Sequence, residues 1–154
     1  AGLALGAAGL AGVALVGGAL PVAGLGLLLS LVGFGMGASY PVSQITVQVA
    51  GGPARLGAAA ASVQYARTLG AAVGTTLIGA VVFGALAAGD AAVAELFARL
   101  VREGAPALLG TLDDAARTGL RTALGEAFRL GFLTAAAMAA CGALIAWRVP
   151  VRRI

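Results

Sequence analysis

The chain has 154 residues, 60% of them hydrophobic and only 10% charged, with a formal net charge of +4. That composition excludes a water-soluble domain, whose core needs a polar cover, and a disordered Gly/Ser linker, because Leu, Val, Ile and Ala dominate. It also excludes a nucleic-acid binder: all ten basic residues are arginines at the ends of apolar runs or in one polar segment, with no basic stripe.

The sequence opens at Ala1 already inside an apolar run, without an initiator Met or an arginine-rich leader. This pattern predicts a segment of a longer protein and not a signal peptide. Only two charged residues, Arg55 and Arg67, precede Asp90. A membrane helix needs about 20 apolar residues, and four spans satisfy that length: 3–20, 23–49, 57–88 and 130–147. The predicted fold is therefore an all-α membrane protein with four transmembrane helices and an amphipathic helical outer loop over 89–129.

The first span holds only Leu, Ala, Val and Gly and is punctuated by Pro21. Without polar side chains, it reads as a lipid-facing support. The second span carries Tyr40, Gln44 and Gln48, whose spacing of four sets them on one helical stripe. A buried amide in hydrocarbon costs several kcal/mol unless paired. The stripe therefore faces either a neighbouring helix, through hydrogen bonds, or a water-filled substrate pathway. Pro41 in the same span predicts a kink of a kind membrane helices tolerate.

A Gly51-Gly52-Pro53 turn leads to the third span, with Gln64, Tyr65, Arg67, Thr68, Thr75 and Thr76. Gly33 with Gly37, and Gly70 with Gly74, have the four-residue spacing that allows close approach of another helix. Arg67 reads either as a snorkelling interfacial anchor or as a gate residue. In the second case it pairs across a helix interface with an acid or a carbonyl elsewhere in the protein.

The segment 90–129 holds six acidic residues and five arginines, a net of −1. Residues 91–102 have amphipathic periodicity, with Val93, Leu96, Phe97, Leu100 and Val101 on one face. Pro106 interrupts, and Thr111 or Asp113 offers an N-cap for a second short helix reaching toward Phe128. Both helices are expected to lie on the membrane surface or over the span ends. The last span, 130–147, is bracketed by Arg129 and Arg148, contains Thr134 and Cys141 as its polar members, and ends at Trp147, a residue suited to the interfacial belt. It too reads as a support. Cys141 reads as a small buried apolar side chain.

The three arginines of the tail, with Arg55 and Arg67, mark one side as cytoplasmic by the positive-inside rule, the C-terminus included. No Asp, Glu or His lies within a span, so a proton carrier, if there is one, belongs to helices outside this sequence. There is no catalytic constellation, phosphate-binding loop or metal-ligand set, and neither enzymatic activity nor a cofactor is predicted.

The run Gly33-Phe34-Gly35-Met36-Gly37-Ala38-Ser39-Tyr40-Pro41-Val42, followed by Gln48 and then by Gln64-Tyr65-Ala66-Arg67-Thr68-Leu69-Gly70 with Gly74, is similar to the C-terminal part of fourteen-helix drug:proton antiporters of the major facilitator superfamily. The resemblance implies that the four spans are the last helices of such a transporter and part of its C-terminal six-helix bundle, in a bacterial plasma membrane. It implies that the second span lines the central cavity, that the third packs on the N-terminal half with Gln64 and Arg67 at a gate, and that the partners are lipid, the remaining helices, a small-molecule substrate and protons. The antiporter Gly-Pro motif is absent. A reading of a different class is a non-transporting four-helix membrane scaffold or assembly subunit.

Overall fold

The computed structural model describes residues 2–89, 91–103 and 114–148, and is 98% helical. The helices are α1 (Gly2–Val16, prolonged by a 3-10 turn Gly17–Ala19), α2 (Val22–Gly51), α3 (Leu56–Gly89, after a 3-10 turn Pro53–Arg55), α4 (Ala91–Glu103) and α5 (Asp114–Arg148). Four stretches, all but α4, are long and apolar enough to cross a membrane.

The turns follow from local chemistry. Pro21 caps α2 in an extended conformation, and its carbonyl accepts the Leu25 N–H at 3.1 Å. The turn between α2 and α3 rests on Gly52, whose φ of +70° and ψ of 171° only glycine adopts without strain. Its N–H donates to Val49 and its carbonyl accepts from Arg55, so the two long helices are joined by a tight, hydrogen-bonded corner.

One expected boundary is absent. The segment from Asp114 does not form a short helix separate from the last span: α5 runs without a break from Asp114 to Arg148. Arg129 marks a change of environment and not a helix end, because residues 114–129 contain no proline and are rich in Ala, Arg and Leu, which favour helix. The proposed caps Thr111 and Asp113, as well as Pro106, Arg152 and Arg153, lie outside the described residues.

The packing order also departs from expectation. The apolar α1 is not an outer support in this chain. It lies between α2 and α5, with a third of its length buried against 6% of α2 and 11% of α3 and α5. Leu10, Val32 and Ala136 from the three helices form one core cluster, flanked by Met36 and Phe132. α3 packs on α5 in a second cluster, where Val82 and Leu86 meet Ala127. α4 lies over this end: its Val93 and Phe97 join the cluster, and Phe97 bridges Phe83 (centroids 5.4 Å apart) and Phe128 (6.4 Å, edge-on). The predicted apolar face of α4 is thus the one that docks, apart from Val101, which stays 64% exposed. Cys141, expected to be buried, is exposed on α5.

The neighbours run antiparallel in a definite register. A methyl at Gly131 would meet Val82 at 2.9 Å, and one at Gly74 would meet Met138 at 3.7 Å. Counting on from Gly74 and Met138 brings Ala66 level with Ala146, so Tyr65, Arg67 and Trp147 share one height. On the other flank α1 starts beside Gly35 and Ser39 of α2. Between this level and the α4 end lies a band in which α1, α2 and α3 carry no charge, although the same register sets Arg129 of α5 level with Phe83 and Glu126 level with Leu86. The band measures about 27 Å from Val22 to Tyr40 and about 33 Å from Arg67 to Gly89, at 1.5 Å per residue.

Candidate functional site at the α2–α3 seam

Beyond that level α2 and α3 continue as a two-helix hairpin, residues 41–66, for about 16 Å. α1 does not flank it among the described residues. The hairpin has contacts at its corner, where a methyl at Gly51 would lie 3.2 Å from Ala59 Cβ, and at its base.

At the base the guanidinium of Arg67 lies over the ring of Tyr40, 4.0 Å from its centroid. This is the geometry of a cation–π contact, which contributes about 0.5–1 kcal/mol when exposed and about 2 when desolvated. Within this sequence Arg67 meets an aromatic face, whereas the acid or carbonyl expected as its gate partner belongs to helices outside it. By sequence Tyr40 and Arg67 belong to different readings, pathway and gate, and the fold brings them into direct contact. Their separation along the chain hides this pairing from any local pattern.

Pro41 follows Tyr40 directly. It removes an N–H that would donate to the Gly37 carbonyl, yet α2 remains a continuous helix through it. Hydroxyls on either side bond back to their own helix: Ser39 Oγ donates to Gly35 O at 3.0 Å and Ser43 Oγ to Tyr40 O at 2.9 Å. Such back-bonding bends helices.

Most small polar groups of α2 and α3 are satisfied in the same local way. Thr46 donates to Val42, Thr68 to Gln64, Thr75 to Ala71 and Thr76 to Ala72, all at 2.8–3.0 Å. The amides are different. Gln44 and Gln48 are half-covered, Gln64 is exposed, and none of the three side chains has a hydrogen-bond partner among the described residues. The stripe expected from the spacing is therefore present, one helical face from Tyr40 to Gln48. Its unpaired members lie in the last three turns of α2, at the hairpin end and not at mid-band.

The glycine pairs divide. Gly33, Gly37 and Gly70 face open space within this chain, where an added methyl would meet nothing within 4 Å. Gly74 alone of the four approaches another helix, at Met138. Closer helix contacts belong to Gly35, where a methyl would lie 2.8 Å from the Gly2 carbonyl oxygen, and to Gly9, where it would lie 2.5 Å from Val32 Cγ2. Sequence spacing missed this seam because glycine is too abundant here, with 25 residues, for any one pair to stand out.

Charge is distributed unevenly between the two ends. Near α4 three arginines come with acids: Arg99 with Glu95 at 2.7 Å, Arg117 with Asp114 at 3.6 Å and Arg129 with Glu126 at 3.8 Å, while Arg102 and Arg121 have no ion pair among the described residues. At the hairpin end Arg55, Arg67 and Arg148 have no acid near them among the described residues. No family model, curated protein or solved structure matches the chain.

Proposed function

We propose that this chain is a membrane-embedded part of a secondary active transporter that exports small molecules by alternating access, coupled to protons. On this reading the four long helices belong to the C-terminal six-helix bundle of a major facilitator fold. The band of about 27–33 Å in which α1, α2 and α3 carry no charge matches the roughly 30 Å hydrocarbon thickness of a bilayer. The arginines without acids at the hairpin end, against a net charge of −1 over residues 90–129, favour a cytoplasmic hairpin and C-terminus.

The observation that carries the reading is the pair of unpartnered amides, Gln44 and Gln48, on the least covered of the four long helices. Amides placed on an apolar helix without partners require water, substrate or further helices to satisfy them. A two-halved transporter supplies all three at the mouth of its central cavity. Arg67 on Tyr40 closes α2 against α3 at the base of the same mouth and forms a gate contact that opening of the hairpin would break.

Transport of ethidium in everted membrane vesicles containing the full-length protein, energised by an imposed proton gradient, tests this. Gln44→Leu lowers the initial rate several-fold, whereas Leu10→Val, in the α1 core, leaves it unchanged. Equal rates in the two variants would remove the cavity role of the stripe.

A further inference from the structure

An open cleft of about 470 Å³ lies at the opposite end of the band, between the end of α1 and the outer half of α5. Its origin is the absence of side chains. Gly17 and Gly18 line one wall and Gly125 the other, and a methyl at Gly18 or Gly125 would meet nothing within 4 Å. The floor is apolar, with Val13, Leu25 and Phe132, and the rim carries Arg121, Glu126 and Arg129.

The two rim arginines are lightly engaged. Arg121 has no ion pair among the described residues, and Arg129 reaches Glu126 only at 3.8 Å with both side chains about half exposed or more. Two cations against one carboxylate leave a net positive rim over an apolar floor. The register of α5 sets Arg121 just beyond the level of Gly89 and Arg129 level with Phe83, about 9 Å inside it, so the rim spans the α4 edge of the band, where a lipid's headgroup meets its acyl chains. We propose that the cleft is a binding site for a phospholipid with an anionic headgroup, its phosphate held by Arg121 and Arg129 and an acyl chain lying along Val13, Leu25 and Phe132. Charge complementarity selects this occupant. A zwitterionic lipid brings a choline cation to a rim that is already positive, and a protein segment would have to supply both an acid and an apolar tail in the same order. The site is independent of whether the chain carries a transported solute.

Native mass spectrometry of the full chain, released from bilayers of equal phosphatidylglycerol and phosphatidylcholine, measures the retained lipid. The site predicts preferential retention of phosphatidylglycerol. Each arginine within reach of an anionic headgroup contributes about fivefold, so Arg121→Gln with Arg129→Gln lowers that preference roughly thirtyfold. Gly125→Leu keeps every charge but fills the cleft, and lowers the retention of both lipids. Equal retention of the two lipids by the unmodified chain overturns the proposal, as does an unchanged preference in the double variant. Should the double variant fail to insert, Gly125→Leu decides: undiminished retention means that the cleft holds no lipid.

Discussion

Two seams run along α2, and different physics holds them. Against α1 the contact is close and apolar, made where Gly2, Gly6, Gly9 and Gly35 let the two backbones approach. Against α3 it is sparser, with Gly51 close to Ala59 at the corner and Arg67 over Tyr40 at the base. The first seam is tight because dispersion between close backbones is what drives helix association when the solvent is itself apolar. The second leaves polar amides uncovered, a state that costs free energy unless something else meets them. The most apolar helix is the most enclosed because it is rich in small residues, and the helices with polar groups are the open ones.

The comparison breaks most readily at Gly35. A methyl there enters the backbone of α1, 2.8 Å from Gly2 O and 3.1 Å from Gly6 N, neither of which can rotate away. Gly35→Ala should cost about 1–3 kcal/mol in SDS-induced unfolding of the purified protein. Gly37→Ala, two residues on but facing open space, should leave stability unchanged or raise it by up to about 1 kcal/mol, the conformational cost of glycine in a helix. Equal losses at the two sites would mean that the α1–α2 seam is misplaced.

The α2–α3 seam should be weaker and removable. A double-mutant cycle on Tyr40→Leu and Arg67→Met should return a coupling of about 0.5–2 kcal/mol. Arg67→Ala should lower transport while leaving the amount of inserted protein unchanged. Transport at the unmodified rate would reduce Arg67 to an anchor. The smallest effect belongs to the surface pair of α4: Glu95→Gln should shift stability by no more than about 0.5 kcal/mol, because both side chains are more than half exposed. A larger loss would show that α4 is held by charge and not by Phe97.

Much of the architecture is legible in the sequence, because helices long and apolar enough to cross a membrane leave a strong compositional mark. Uncharged runs of sufficient length, broken at Pro21 and at Gly51-Gly52-Pro53, mark three of the long helices to within a few residues. The amphipathic face of α4 is legible for the same reason of periodicity. The start of α5 is not, since Arg129 ends an apolar run without ending a helix. Pairing is the least legible level. Nothing local distinguishes Gly35 from Gly33 or Gly37, and the Tyr40–Arg67 contact joins residues on opposite sides of a turn. The Gln44–Gln48 stripe was visible as spacing, whereas its position at the hairpin end emerges only from the helix lengths and the register with α5.

The central claim is that α2 passes from a lipid-facing band into a water-accessible polar mouth within one uninterrupted helix. The chain has one cysteine, the exposed Cys141, so a Cys141→Ala background permits single reporters. With the full-length protein in sealed membrane vesicles, Gln44→Cys and Gln48→Cys should react with a membrane-impermeant maleimide from one side only, and Gly26→Cys and Leu27→Cys should not react from either. Reaction at all four positions would contradict a membrane-spanning α2, and reaction at none would contradict the polar mouth.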